Sequence, residues 1–194
     1  MIGTFKIVLA AALWFALGGC SLDESGTLKT QVDHFYTIDS GEAVAAAGSG
    51  YQPEGIAGYV YTQPVSGSNR FYRLYKPGDT DHFYTTSGSE KEAALANGYQ
   101  DEGTVGSIFP SMAAARITLR NAGEVIVPLY RLYHPENVDH FYTTSAAERD
   151  SAIANSGYQD EGIAGYLFPD SRAVSQAFPA VDDKTTPLFR LYLP

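Results

Sequence analysis

The sequence predicts a mainly β fold with short helices, arranged as a closed pseudo-three-fold ring of three repeats. Three observations carry this expectation. The segment Asp-His-Phe-Tyr-Thr occurs at Asp33, Asp81 and Asp139, each time followed by Gly-Tyr-Gln-x-Glu-Gly. An Arg-Leu-Tyr triplet occurs at Arg73, Arg131 and Arg190, and the first two stand eight residues before the next Asp-His-Phe-Tyr-Thr. No such triplet precedes Asp33, whereas the last triplet, from Arg190, has no Asp-His-Phe-Tyr-Thr after it. The orphaned last strand suits the orphaned first one, and closing a ring in this way removes edges that an open array would expose.

Within one repeat the order predicted is strand, strand, helix, strand. The runs around Phe71 to Tyr75, Leu129 to Tyr133 and Leu188 to Tyr192 are aromatic and aliphatic, and His-Phe-Tyr-Thr is equally strand-prone. Between these strands stand Lys76-Pro77-Gly78-Asp79 and His134-Pro135-Glu136-Asn137, which predict hairpin turns. Helix starts are marked by Ser87-x-x-Glu90 and Ser145-x-x-Glu148, and by Asp39-x-x-Glu42 in the first copy. Gly50, Gly98 and Gly157 stand where a glycine would stop each helix.

The third strand reads Gly55-Ile56-Ala57-Gly58-Tyr59 in the first copy and Gly162-Ile163-Ala164-Gly165-Tyr166 in the last. Ser107 replaces that tyrosine in the middle copy, which marks the middle repeat as impaired if the tyrosine serves binding. Inserts of differing length follow, long at 110–127 and 169–186. A three-bladed propeller-like ring is the first expectation; a β-trefoil is the alternative, less suited to a mid-repeat helix.

Residues 1–19 read as export machinery, with Lys6 before an eleven-residue apolar run at 7–17. Such a run is too short to span a bilayer, which needs roughly 20 helical residues. Leu17-Gly18-Gly19-Cys20 resembles the lipobox of bacterial lipoproteins, which implies lipidation of Cys20. Cys20 is the sole cysteine, so no disulfide forms within the chain. Residues 20–32 are expected to be the anchor and a tether reaching on the order of 20 Å. One domain follows at 33–194, divided as 33–80, 81–138 and 139–194. Ser21 after the cysteine implies, by the same resemblance, attachment to the outer membrane of a cell that has two.

Loss of Lys6 with the leader takes the formal charge from −9 to −10. That acidity disfavours nucleic acid as a partner. The phrases Asp-His-Phe-Tyr-Thr-Thr-Ser, Gly-Tyr-Gln-x-Glu-Gly-Ile-Ala-Gly-Tyr and Leu-Tyr-Arg-Leu-Tyr resemble an uncharacterised repeat family of secreted bacterial and fungal proteins. Its members are often joined to extracellular hydrolases, which implies an accessory, glycan-binding role, and it lends no catalytic residues.

Two readings of the recurrent polar residues are open. In one, Glu54, Glu102 and Glu161 hold sugar hydroxyls while Tyr51, Tyr99 and Tyr158, at helix-to-strand corners, pack on sugar faces. In the other, Asp33, Asp81, Asp139, His34, His82, His140, Arg73, Arg131 and Arg190 form a structural network, since a charge between two aromatics is costly to bury unpaired. The second is favoured for the Asp, His and Arg sets. Three histidines meeting on an axis would suit zinc, but no short-range ligand spacing supports it, and no metal or cofactor is expected. His134 reads as a solvated turn residue. A constellation repeated three times does not supply the two unlike carboxyl environments of a glycosidase, and no nucleophile motif appears. The expectation is a monomeric, non-catalytic surface lipoprotein that binds glycan. The alternative is a scaffold lipoprotein that contacts a surface protein through its long inserts, and a hydrolase of unrecognised type comes last.

Overall fold

The computed structural model describes residues 20–22, 28–177 and 184–194. The leader at 1–19 lies outside the described residues, and so does part of the second insert, at 178–183. The stretch read as a tether departs from that expectation where it is described: β1 (Cys20–Leu22) and β2 (Leu28–Thr30) pair antiparallel.

The remainder is mainly β with short helices. Three strand triplets organise it. The second consists of β5 (Asn69–Lys76), β6 (Asp81–Thr85) and β7 (Gln100–Ile108), with β5 in the middle. The third consists of β8 (Val127–His134), β9 (Asp139–Thr143) and β10 (Gln159–Leu167), with β8 in the middle. The first draws on both ends of the domain. β3 (Asp33–Thr37) and β4 (Gln52–Tyr61) flank β11 (Thr185–Leu193), which pairs antiparallel with both. The first and second triplets join into one six-stranded sheet through Tyr61 and Ser107.

Helices α1 (Ser40–Gly48), α2 (Gly88–Ala96) and α5 (Ala146–Asn155) connect the inner strand of each triplet to its outer strand. Their starts form as the sequence predicts: the Asp39 carboxylate accepts from Gly41 N and Glu42 N, and the Ser87 and Ser145 hydroxyls accept from Glu90 N and Glu148 N. At two or three turns these helices need tertiary support. Each receives it through its first-turn glutamate.

The inner strands β3, β6 and β9 each have a free edge, and tyrosine hydroxyls occupy those edges. Tyr84 Oη takes the Tyr36 N–H and donates to Tyr36 O; Tyr142 Oη does the same for Tyr84, and Tyr36 Oη for Tyr142. Backbone groups that would seek another strand are thereby satisfied inside the core. The three rings meet edge to face at 5.3 to 5.6 Å. Around them pack Val60, Phe71, Val105, Ile108, Leu129, Leu167 and Leu188.

At their far ends the outer strands meet through Tyr61 with Ser107, Phe109 with Tyr166 and Tyr59 with Phe168. The approach is close enough to require glycine. A Cβ at Gly58 would fall 2.8 Å from Phe168 O, and one at Gly106, where φ is +90°, 2.6 Å from Tyr61 O. The inserts cover this end. α3 (Met112–Ala115), α4 (Ala122–Val125) and α6 (Ser171–Ala177), with Leu119 from the connection between the first two, bury Ala115, Leu119, Val125 and Val174 against Tyr61, Phe109 and Phe168. Ser107 belongs here as well, buried in the sheet, so the tyrosine it replaces is part of the packing at this end of the core.

Candidate functional site: the junctions between strand triplets

The same polar relay recurs wherever one triplet meets the next. Asp33 accepts from His82 N at 2.9 Å and faces His82 Nδ1 at 2.6 Å. Asp81 serves His140 in the same way, and Asp139 serves His34. The aspartates are buried, and each belongs to a different triplet from its histidine. Tyr51 donates its hydroxyl to Asp33 at 2.6 Å, and Tyr99 and Tyr158 donate theirs to Asp81 and Asp139. Tyr51, Tyr99 and Tyr158 are thus half-buried, their hydroxyls turned inward and their rings set against Phe35, Phe83 and Phe141. Burial, with the adjacent aspartate charge, pushes all three phenols far above their ordinary pKa.

The histidines do not gather. Among the described residues it is the three aspartates whose carboxylate oxygens come within 4.8 Å of one another, and each carboxylate already accepts from a backbone N–H, an imidazole and a phenol.

A second relay lies outside the first. Arg73 makes a forked contact with Glu42 at 2.8 and 2.9 Å, and its Nε lies 2.9 Å from Glu102 as an ion pair that is not well aligned for a hydrogen bond. Arg131 holds Glu90 and Glu161 likewise, and Arg190 holds Glu148 and Glu54. Each guanidinium also stands over a phenylalanine, at 5.0 to 5.4 Å from the centroids of Phe35, Phe83 and Phe141. The forked partner comes from the helix of the neighbouring triplet, so the sequence signal read as a capping box hides an inter-triplet bridge. Glu42 and Glu90 are held below the usual carboxylate range chiefly by hydrogen bonds from Arg73 and Arg131. Burial would raise Glu148, but Arg190 and Thr143 outweigh it and hold that carboxyl low too.

His82 carries a pH dependence. Burial alone would lower its pKa; the charge and hydrogen bond of Asp33, helped by Glu102, outweigh that and raise it to about 9. An unfolded histidine titrates near pH 6.5. The stabilisation held by the native proton is therefore complete below about pH 6.5 and lost as pH rises through about 9, on the order of 3 kcal/mol. The urea midpoint is expected to fall across that window, and His82→Gln is expected to flatten the fall. An unflattened profile would show that the proton resides elsewhere.

The junction of the third and first triplets opens into a cleft of about 300 Å³. His34, Glu54 and Tyr192 line it from one side and Phe141, Glu148 and Tyr158 from the other, with Ser151 and Ser156 on its wall. A smaller cavity of about 160 Å³ shares Glu54 and Glu148 and adds Ile56, Ala57, Thr144, Ser145 and Arg190. The two flank the Arg190 bridge. Tyr192 lies 4.8 Å from the His34 ring, while Glu54 and Glu148 leave about a third of their side chains in solvent. His134 is no free turn residue: its ring stands edge-on to Tyr158 at 5.1 Å, and its Nδ1 accepts from Asn137 N.

The family model described as Domain of unknown function (DUF5648) matches residues 27–109 and again 113–194. The chain belongs to the DUF5648 family. The domain is present in two tandem copies, whose common boundary falls at the start of the first insert, so each family unit is longer than one of the three sequence repeats. No curated protein matches the chain, and no solved structure does. No helix among the described residues is long and apolar enough to cross a membrane.

Proposed function

We propose that this DUF5648 chain is a non-catalytic, lipid-anchored surface protein that binds a neutral or weakly charged glycan in the clefts between its strand triplets. The cleft between the third and first triplets carries this reading. Rings of Phe141, Tyr158 and Tyr192 border it for the C–H face of a sugar, and the exposed edges of Glu54 and Glu148 accept hydroxyl hydrogens. Ion pairing of Glu148 with Arg190 leaves it no proton to donate at neutral pH, which suits binding better than glycoside hydrolysis. The described helices of the inserts pack apolar residues against Phe109 and Phe168, which supports the clefts over the inserts as the recognition surface.

On this reading the triplets form a closed, propeller-like ring of three blades with β11 completing the first. The Asp-to-His relay from each triplet to the next supports it. Cys20 would hold the chain at the membrane, the outer one in a cell with two, and related clefts would add their weak affinities against a repeating polymer.

A glycan array with multivalently displayed protein tests the proposal. Ser151, on the exposed face of α5, and Tyr192 reach the cleft without joining the aspartate relay. Ser151→Trp, which fills the cleft, and Tyr192→Ala, which strips one wall, are each expected to weaken binding about tenfold or more with the melting temperature kept. Unchanged binding by both variants would refute the site.

A further inference from the structure

The two cavities at the third-to-first junction have different chemistry. The larger is walled by aromatic rings, which suits the C–H face of any pyranose. The smaller has no aromatic wall. Its apolar surface is Ile56, whose side chain lies in β4 at 49% exposure, together with Ala57. Around that patch stand the carboxylates of Glu54 and Glu148, which only accept hydrogen bonds, the Arg190 guanidinium, already engaged by both of them, and the hydroxyls of Thr143, Thr144 and Ser145.

Their existing bonds limit what each can offer. Thr143 donates to Glu148, and Thr144 donates to Ala57 O at 3.3 Å. Ser145 Oγ accepts from Glu148 N and has its own proton to give. The cavity therefore presents an apolar patch, carboxylate acceptors and a hydroxyl donor. A bare sugar hydroxyl answers the acceptors but leaves Ile56 against water. An acetamido group answers all three: its methyl covers Ile56, its N–H donates to Glu54 or Glu148, and its carbonyl accepts from Ser145.

We propose that the junction groove takes a disaccharide unit of an N-acetylated hexosamine polymer, with one ring in the aromatic cavity and the acetamido group of its neighbour on Ile56. This rests on the glycan-binding reading and deepens it by naming the sugar class. Both cavities share Glu54 and Glu148, which places the two subsites side by side across one bridge.

The test compares cellobiose with N,N′-diacetylchitobiose. They share linkage and ring configuration and differ in the acetamido groups. Calorimetric titration of the protein is expected to show the acetylated sugar binding about tenfold tighter, from one buried methyl and one charge-assisted hydrogen bond. Ile56→Ser, at a half-exposed strand position, is expected to cut that preference to about threefold while the melting temperature holds. Equal affinity of the native protein for the two sugars, or an undiminished preference in the variant, would overturn the acetamido assignment and leave glycan binding standing. Failure of both disaccharides and of every glycan on the array would overturn the assignment and the glycan reading together.

Discussion

A chain ending at Thr186 is expected to lose its cooperative unfolding transition altogether. Deleting 187–194 removes the middle strand of the first triplet, so β3 and β4 lose their common partner. Leu188 and Leu191 go with it, both buried, and large-to-small changes at such positions cost about 2 to 5 kcal/mol each. Arg190 goes too, leaving Glu54 and Glu148 unpaired. A whole domain is stable by only about 5 to 15 kcal/mol, so these losses are comparable to everything available. The measurement is a thermal melt followed by circular dichroism. A truncated chain that melts at the native temperature would show that the first triplet is dispensable and would refute closure by β11.

The second large effect is expected at the aspartates. Asp81→Ala deletes the acceptor of His140 N, His140 Nδ1 and Tyr99 Oη in one step, leaving buried donors without partners. Each buried donor left without its acceptor costs about 1 to 3 kcal/mol. Asp101 supplies the contrast: its bridge to Lys91 is exposed, and Asp101→Ala is expected to cost under about 1 kcal/mol. The recurrence of the relay predicts similar losses for Asp33→Ala and Asp139→Ala. Urea denaturation separates the cases. Equal, small effects at Asp81 and Asp101 would mean that the buried relay contributes packing rather than hydrogen bonding.

Much of the framework was legible in the residues. Hairpins announced themselves through strand-prone aromatics around Pro-containing turns, and the helices through N-caps and C-terminal glycines, because these signals act over a few residues. Pairing of β11 with β3 was legible by elimination, since each had lost its expected neighbour. The relays were harder to see. Sequence places Asp33 beside His34, yet the hydrogen-bonded partners are Asp33 and His82, on the inner strands of two different triplets. Glu42, Glu90 and Glu148 were hidden by sufficiency: capping explained their presence, although their carboxylates reach Arg73, Arg131 and Arg190. What could have exposed them is that the first-turn Glu recurs in all three helices while the residues after it vary. Tyr51, Tyr99 and Tyr158 looked accessible because corners usually are; a phenol that reaches a buried carboxylate turns inward instead. Nor does any local pattern show that the third-to-first junction opens into a cleft, since its lining comes from segments far apart in the chain.

Leu193 stands opposite Asp33 in the ladder between β11 and β3. The chain therefore enters this domain and leaves it at one spot, about one strand spacing apart. A domain with that property can be set into a loop of another protein without prising the loop open, and the host would keep its own fold on either side. The same geometry makes the unit a natural bead for stringing, in which consecutive copies or an attached enzyme would hang from a single point.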